Sequence, residues 1–356
     1  ARLKVTEAEA TLMTSRLAYL PSISFEPSGT LRSVDGNAMT KSYDIAASAS
    51  WEVDIFGKLT NAKRGAKAAL EQSEAYRQAV QTQLIATIAN SYYSLLMLDA
   101  QLDISERTAA IWGENVRAMK ALKAAGDATE LAVAQSEASK LSVDASIASL
   151  RQQIDQMENT LTALLGIAPQ KIDRTTIGEQ RFPTELAAGV PLQLLQRRPD
   201  VRQSEAALAQ AFYATNAARA AFYPSITLSG SAGWTNAAGA AITNPGQWLF
   251  TAVGSLVQPL FNRGKNIANL RIAKAQQEEA LLSFRQSLLD AGTDVNNALI
   301  QWQTARQRQQ IDQQQILSLE STVRSSELLM QYSSQNYLEV LTARHTLLQA
   351  DLTAVS

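Results

Sequence analysis

The sequence contains no cysteine and only one histidine, His345, among its 356 residues. Without cysteine, these residues can form no disulfide, thiolate metal site or cysteine nucleophile. A single histidine leaves little material for general acid–base catalysis or for a histidine metal cluster. We therefore expect no enzyme: no catalytic residue, no cofactor and no metal site. We interpret His345 as a solvated side chain on the last helix.

Neither sign of charge is in excess, because the chain has 32 Lys and Arg residues against 33 Asp and Glu residues. A strongly basic face would be needed for nucleic acid, so we expect no such partner. No run approaches the roughly 20 apolar residues of a membrane-spanning helix. No signal peptide is recognisable, since Arg2, Lys4, Glu7 and Arg16 already lie at helical spacing. We expect that the sequence starts and stops inside helices and lacks residues at both ends.

Proline is scarce, and two long ranges, 28–168 and 260–356, contain none. A helix from Leu59 to Ala125 would be about 100 Å long at about 1.5 Å per residue. Apolar and small residues within these ranges recur at steps of three and four, which is coiled-coil spacing. They form three seams: Leu84, Ile88, Ser91, Leu95, Leu98, Leu102, Ser105, Ala109, Trp112, Val116; Val143, Ile147, Leu150, Ile154, Met157, Leu161, Leu164; and Leu281, Phe284, Leu288, Ala291, Val295, Ala298, Trp302.

The two halves of the chain follow one plan. Tyr19-Leu20-Pro21-Ser22-Ile23 recurs as Phe222-Tyr223-Pro224-Ser225-Ile226, and Phe56-Gly57-Lys58 is echoed by Phe261-Asn262-Arg263-Gly264-Lys265. The offset between the halves drifts slowly, as small loop insertions in a duplicated unit would produce. The repeated pattern therefore predicts, in each half, a helix, a β-hairpin and very long helices.

Four segments of about ten residues alternate between apolar and small polar residues. Such alternation is typical of transmembrane β-barrel strands, although a soluble antiparallel sheet with one wet face alternates in the same way. We expect one face to meet lipid, comprising Tyr43, Ile45, Trp51, Ile226, Leu228, Trp234 and Phe250. We expect the other to line a lumen, comprising Glu26, Asp44, Ser48, Ser50, Thr227 and Ser229. Four strands cannot close a barrel, for which eight is about the minimum, so several chains must contribute.

A longer motif carries a family resemblance. Leu194-Leu195-Gln196-Arg197-Arg198-Pro199-Asp200-Val201-Arg202 continues through Ala217-Ala218-Arg219 to Phe222-Tyr223-Pro224-Ser225-Ile226. Supporting segments are Trp51-Glu52-Val53-Asp54-Ile55-Phe56-Gly57-Lys58 and Tyr337-Leu338-Glu339-Val340-Leu341. With these motifs, nearly the whole chain resembles the TolC-like outer membrane factors, in the lipoprotein (NodT-type) branch that serves tripartite efflux systems.

The resemblance implies an α+β outer-membrane efflux protein fold made of two structural repeats. It implies a homotrimer whose β-hairpins form a 12-stranded barrel, while long coiled-coil helices form a periplasmic α-barrel. The first repeat is expected at 1–166, with a helix end, a hairpin at about 22–54 and helices at about 59–125 and 131–165. A linker or equatorial segment follows at 167–190. The second repeat is expected at 191–356, with helices at about 199–221, 265–331 and 337–356 and a hairpin at about 225–258.

The implied function is a passive exit duct for small molecules such as drugs, dyes, detergents or metal ions. Implied partners are a periplasmic adaptor (membrane fusion) protein, an inner-membrane pump of the RND type and outer-membrane lipid. The implied location is the outer membrane of a Gram-negative bacterium, with the chain extending into the periplasm and a lipid anchor on a cysteine outside this sequence. Two alternatives stay open: a type I secretion duct for proteins and a periplasmic structural coiled-coil protein.

Such a duct closes at its periplasmic tip, where the helical hairpins bend. The resemblance places the bends near Gly126 and near Ser333 and Ser334, which become candidate adaptor contacts. The candidate gate residues beside the bends are Asp127, Glu130, Tyr332 and Glu339. In a trimer each carboxylate would be repeated around the axis as an anionic ring that selects cations.

Overall fold

A computed structural model of the chain describes residues 1–33, 39–181, 197–236, 247–332 and 337–356. Six α-helices and four β-strands lie in these ranges. In chain order they are α1 (Arg2–Leu17), β1 (Ser22–Arg32), β2 (Thr40–Val53), α2 (Lys58–Ala125), α3 (Glu130–Leu165), α4 (Pro199–Ala220), β3 (Ser225–Thr235), β4 (Gln247–Val257), α5 (Lys265–Tyr332) and α6 (Tyr337–Val355). None of the helices in the described ranges is both long enough and apolar enough to cross a membrane.

The long helices end where the local sequence stops them. Gly126 has a φ of 89°, a left-handed conformation that glycine adopts without strain. Its N–H and that of Asp127 bond to the carbonyls of Lys123 and Leu122, which is the Schellman arrangement that ends many helices. α3 then begins at Glu130, where the side chain of Thr129 accepts a hydrogen bond from the N–H of Ala132. The sequence therefore folds residues 58–165 into a helical hairpin.

The compact units of the structure cut across the two sequence repeats. One unit comprises 1–80 and 190–293, and the other comprises 81–189 and 294–356. Each repeat contributes its β-hairpin and the adjoining helix segments to the first unit and its remaining helices to the second. The repeats at 1–166 and 191–356 thus describe the sequence, whereas the packing divides each of them between two units.

In the first unit, the four strands form one antiparallel sheet in the order β1-β2-β3-β4. The two halves of the chain meet at the centre of the sheet, where Val53 pairs with Ile226 and Asp44 with Thr235. Gly233 is required there, because a Cβ would lie 2.1 Å from the backbone oxygen of Ile45. β1 and β4 form the two edges, so each has one side that no strand of the described chain pairs with.

The helices of the first unit contact one another in the same order as the strands. The hydroxyl groups of Tyr19 and Thr60 lie 2.9 Å apart and join the end of α1 to α2. Tyr213 of α4 lies beside Gly65 of α2. Thr215 of α4 donates a hydrogen bond of 3.1 Å to the carbonyl of Ala273 on α5. The helices are therefore linked in the order α1-α2-α4-α5, which matches the order of the strands that they continue.

The second unit contains three apolar clusters between helices. Leu95 and Leu98 of α2 pack with Ile154 and Leu161 of α3. Trp112 packs with Val143 of α3 and Leu348 of α6, and Met119 packs with Val133 and Tyr337. These clusters bury the first and second predicted seams over most of the unit.

Candidate functional site

The strand register brings the predicted surface residues together on two opposite faces of the sheet. Residues directly opposite one another in an antiparallel sheet share a face. Through the pairs Ile45–Trp234, Trp51–Leu228 and Ala232–Phe250, one face carries all seven of the residues expected to meet lipid. The other face carries Glu26, Asp44, Ser48, Ser50, Thr227 and Ser229, the six expected to line a lumen. Which face meets lipid stays a prediction.

The polar face is rich in hydroxyl groups. Ser24, Ser48, Ser231 and Thr251 lie opposite one another in one row across all four strands. The hydroxyls of Ser24 and Ser48 are 2.7 Å apart, and Ser24 also donates to Oε1 of Glu26 at 3.1 Å. This face therefore offers small hydrogen-bonding hydroxyl groups together with the carboxylates of Glu26 and Asp44. The apolar face, by contrast, exposes large side chains, including 80% of Phe250.

The junction of the sheet with α2 is held by the segment Trp51–Lys58. The indole N–H of Trp51 donates to the carbonyl of Tyr19 at 2.9 Å. The carboxylate of Asp54 accepts from the N–H of Leu59 and from both the N–H and hydroxyl of Thr60, at 2.6–3.0 Å. Burial raises the pKa of Asp54, but the Thr60 and Leu59 hydrogen bonds outweigh it and hold that pKa below its ordinary value. Asp54 is therefore the ionised cap of α2.

The first helical bend brings two of the gate candidates to its surface. Asp127 and Glu130 are both exposed beside Gly126. Glu130 forms an ion pair with Lys123 across the turn, and Lys120 pairs with Glu137 at 2.7 Å. The charge of Glu130 is thus compensated within the hairpin.

The second bend is only partly described. Ser333, Ser334 and the side chain of Tyr332 lie outside the described residues, although Tyr332 is the last residue of α5. Glu339 is in the first turn of α6, is exposed, and has no ion-pair partner among the described residues. Glu339 therefore differs from Glu130, because the negative charge of Glu130 is paired with Lys123 and that of Glu339 has no ion-pair partner among the described residues.

Tyr337 is a contact that the sequence alone did not single out. It is 8% exposed and packs on Met119 and Val133. Its phenol group is hydrogen-bonded to the hydroxyl of Ser136 on α3. Burial raises the pKa of Tyr337, against smaller lowering effects of Ser136 and Arg344. A neutral phenol therefore joins α6 to the α2–α3 hairpin.

Arg174 is a second residue that the sequence alone did not single out. Its guanidinium bonds to Asp99 of α2, with 2.9 Å from Nη2 to Oδ1, and to Glu158 of α3. Hydrogen bonding to Asp99 is the main cause of the raised pKa of Arg174. Asp99 lies on one acidic face of α2 with Asp103 and Glu106, which form exposed ion pairs with Arg107 and Arg151. Arg174 anchors the segment 167–181 to two helices.

Comparisons with known proteins agree over nearly the whole chain. The family model described as outer membrane efflux protein matches residues 1–167 and 190–356. The chain is 29% identical to the cation efflux system protein CusC of Escherichia coli K12 over 350 residues, which cover 98% of this chain and 77% of that protein. It is 32% identical to the pyoverdine export outer membrane protein OpmQ of Pseudomonas aeruginosa PAO1 over 354 residues, covering 98% of this chain and 73% of the relative.

Solved structures give the same result. A crystal structure of CusC has a TM-score of 0.93 and 28% identity, with 99% of this chain and 83% of that chain covered. The open state of the MtrE outer membrane channel of Neisseria gonorrhoeae has a TM-score of 0.87 and 27% identity, with coverage of 99% and 82%.

Proposed function

The chain belongs to the outer membrane efflux protein family, and from that premise we propose that three copies form one passive duct through the outer membrane. The chain itself is an outer-membrane efflux channel component, as its relatives are. In the proposed trimer, the three sheets form a 12-stranded barrel with the apolar face toward lipid and the hydroxyl-rich face toward the lumen. The helices continue the wall of the duct into the periplasm.

The two open edges of the sheet are the observation that supports this assembly. A single four-stranded sheet in lipid would leave the outward-facing backbone groups of β1 and β4 without hydrogen-bond partners, at a cost of several kcal/mol for each group. Pairing β4 of one copy with β1 of the next removes both edges. In the helix order α1-α2-α4-α5, α1 and α5 likewise stand at the two ends. The rotation that pairs β4 of one copy with β1 of the next would therefore also bring α5 of one copy beside α1 of the next.

The duct would carry small molecules and would take its substrate from other components. Relatives of similar identity are described as cation, pyoverdine and antibiotic efflux proteins. That range indicates that selection belongs to the partners: a periplasmic adaptor and an inner-membrane pump, which we propose to be of the RND type. The bends at Gly126 and at Ser333 and Ser334 are the proposed adaptor contacts.

The periplasmic end would be closed at rest by the residues around the two bends. We assign Asp127, Glu130, Tyr332 and Glu339 to this gate. Glu339 would be the main carboxylate, because it lies in the segment Tyr337-Leu338-Glu339-Val340-Leu341 that carries the family resemblance and, unlike Glu130, has no ion-pair partner among the described residues. Tyr337 would hold α6 against the α2–α3 hairpin beside the gate.

Mass measurement of the full-length protein in detergent tests the assembly. We expect three chains per particle and channel activity after reconstitution into planar bilayers. A monomeric particle with intact strands and helices would contradict the proposed duct.

A further inference from the structure

Basic residues are concentrated where the helices meet the sheet. In residues 10–21, 51–70, 210–224 and 257–277 there are ten basic residues and only two acidic ones, Glu52 and Asp54. The chain as a whole has 32 basic and 33 acidic residues, so the remainder carries an excess of acid. We name the basic set the junction collar: Arg16, Lys58, Lys63, Arg64, Lys67, Arg219, Arg263, Lys265, Arg271 and Lys274.

The antiparallel topology brings these four segments to the same end of the sheet. Ser22 lies opposite Ser50, Val53 opposite Ile226, and Ser225 opposite Val257. Direct contacts join the segments further: Phe56 stacks on Tyr223 with 4.9 Å between ring centroids, and Asn266 donates to the carbonyl of Ala221 at 2.9 Å. The four segments that carry the junction collar therefore lie together at one end of the sheet, within the first unit.

The two acidic residues of this region do not neutralise the collar. Asp54 is used by the N-terminus of α2, and Glu52 pairs with Lys58 at 2.7 Å. Just beyond these ranges, Glu71 pairs with Lys67 of the collar at 3.5 Å. Arg16, Arg64, Arg263 and Lys265 are exposed, and no carboxylate of the described residues forms an ion pair with them. A patch of uncompensated cations is costly to gather without an anion to bind, because like charges repel.

Exposed apolar side chains lie among these cations. Leu260 is 91% exposed and Phe261 is 87% exposed, immediately before Arg263 and Lys265. Leu20 and Ile55 are more than half exposed beside the same end of the sheet. These exposed apolar side chains thus lie in the connecting segments between the sheet and the basic residues of the helices. Apolar and aromatic residues followed by Lys and Arg are the pattern of a protein surface at the boundary between hydrocarbon and headgroups.

We propose that the junction collar binds the headgroups of anionic phospholipids in the periplasmic leaflet of the outer membrane. The proposal rests on the proposed function, which places the sheet in that membrane and the helices below it. Arginine and lysine would bind the phosphate groups, while Leu260, Phe261, Leu20 and Ile55 would contact the upper acyl chains. Soluble phosphate does not account for the apolar part of this surface, and a second copy of the chain would bring a second set of cations.

Native mass spectrometry of the full-length protein tests the collar, by titration with phosphatidylglycerol and phosphatidylcholine of the same acyl chains. The test variant is Arg16→Gln, Arg64→Gln, Arg263→Gln. The control variant, Arg117→Gln, Arg308→Gln, Arg324→Gln, removes three exposed arginines that have no ion-pair partner among the described residues and lie in the second unit. A single variant, Arg64→Gln, is measured as well, in case the triple variant fails to assemble. Arg64 lies on α2, which is not at an end of the helix order α1-α2-α4-α5.

We expect the wild type to bind phosphatidylglycerol more tightly than phosphatidylcholine. Each arginine lost at a site should weaken phosphatidylglycerol binding roughly five-fold, which corresponds to about 1 kcal/mol per basic side chain. The control variant should keep the wild-type preference, and phosphatidylcholine binding should be equal in all variants. Equal affinity of the test and control variants for phosphatidylglycerol would overturn the proposal, as would complete competition by millimolar inorganic phosphate. Channel conductance in a phosphatidylcholine bilayer reports separately on the proposed function, because it does not require the anionic lipid.

Discussion

Tyr337 combines a buried ring with a hydrogen bond between helices, and the two contributions can be separated. Tyr337→Phe keeps the packing on Met119 and Val133 and removes only the phenol group. Ser136 also donates to the carbonyl of Ala132, so its hydroxyl keeps a partner. We expect a loss of about 1 kcal/mol in the free energy of unfolding for Tyr337→Phe and about 3 kcal/mol or more for Tyr337→Ala. Denaturant unfolding of the detergent-solubilised protein measures both.

A double-mutant cycle provides the control for this hydrogen bond. Ser136→Ala removes the partner hydroxyl, so Tyr337→Phe should add little destabilisation in that background. Two fully additive losses would show that the two hydroxyls do not act on each other.

Asp54 makes the junction with α2 dependent on pH. Its pKa is lowered in the folded protein, so its contribution to stability is present above the unfolded pKa of about 3.9 and is lost as the pH falls through the folded pKa. Asp54→Asn should therefore lower the melting temperature at pH 7, and the difference from the wild type should shrink as the pH falls below about 4. Asp103→Asn is the control, because Asp103 forms only an exposed pair with Arg107. A difference that stays constant across the acid range would contradict the role of Asp54.

The elements themselves were largely predictable from the sequence. Proline and glycine positions limit the long helices, and α2 extends from Lys58 to Ala125 against an expected range of about 59–125. The period-two pattern also predicts which strand residues share a face, including Phe250 of the fourth strand, which lies on the same face as Trp234. Local sequence carries these features because the backbone conformation and the side-chain period depend on near neighbours.

Contacts between distant segments were not predictable in the same way. Arg174 reaches Asp99 over 75 residues of chain, and Tyr337 reaches Ser136 over 201. A single sequence does not reveal which arginine approaches which carboxylate. The seams have a related limit: Leu95 is fully buried, whereas Leu84 of the same seam is 41% exposed. Coiled-coil spacing identifies the face that seeks a partner, but not whether that partner lies in the same chain.

The assignment of the two sheet faces leads to a prediction with a built-in control. Leu228 and Ser229 are neighbours on β3 and lie on opposite faces of the sheet. Leu228→Arg should cost up to about 2–4 kcal/mol if the apolar face meets lipid, less where the site is close to the interface. Ser229→Arg should be tolerated, because its side chain would enter a water-filled lumen. Folding yield and unfolding free energy in lipid vesicles measure both, and the opposite order would reverse the faces.

At the scale of the whole molecule, one chain leaves sheet edges and apolar helix positions that further copies of the chain could cover. No strand of the described residues pairs with the outer side of β1 or of β4. The predicted seam on α5 is only partly covered, since Ala291 is 1% exposed, whereas Ala298 is exposed. Apolar stripes of this kind are ordinarily buried by neighbouring helices. In the proposed trimer, the remaining seam positions of α5 would pack against the next protomer, which accounts for a helix of 68 residues with so few buried positions in one chain.

The last prediction concerns the gate of the assembled duct. Glu339 is exposed and uncompensated among the described residues, so three copies would give a ring of negative charge at the tip. Glu130 is paired with Lys123 and should contribute less to that ring. In single-channel recordings, Glu339→Gln should therefore weaken cation selectivity and periplasmic block by divalent ions. Lys123→Gln should strengthen both, because it frees the charge of Glu130. Tyr332→Ala should raise the resting conductance, because the proposed gate assigns this ring to holding the tip closed. Asp103→Asn, far along α2, should change none of these quantities; unchanged selectivity and block in Glu339→Gln would remove Glu339 from the gate.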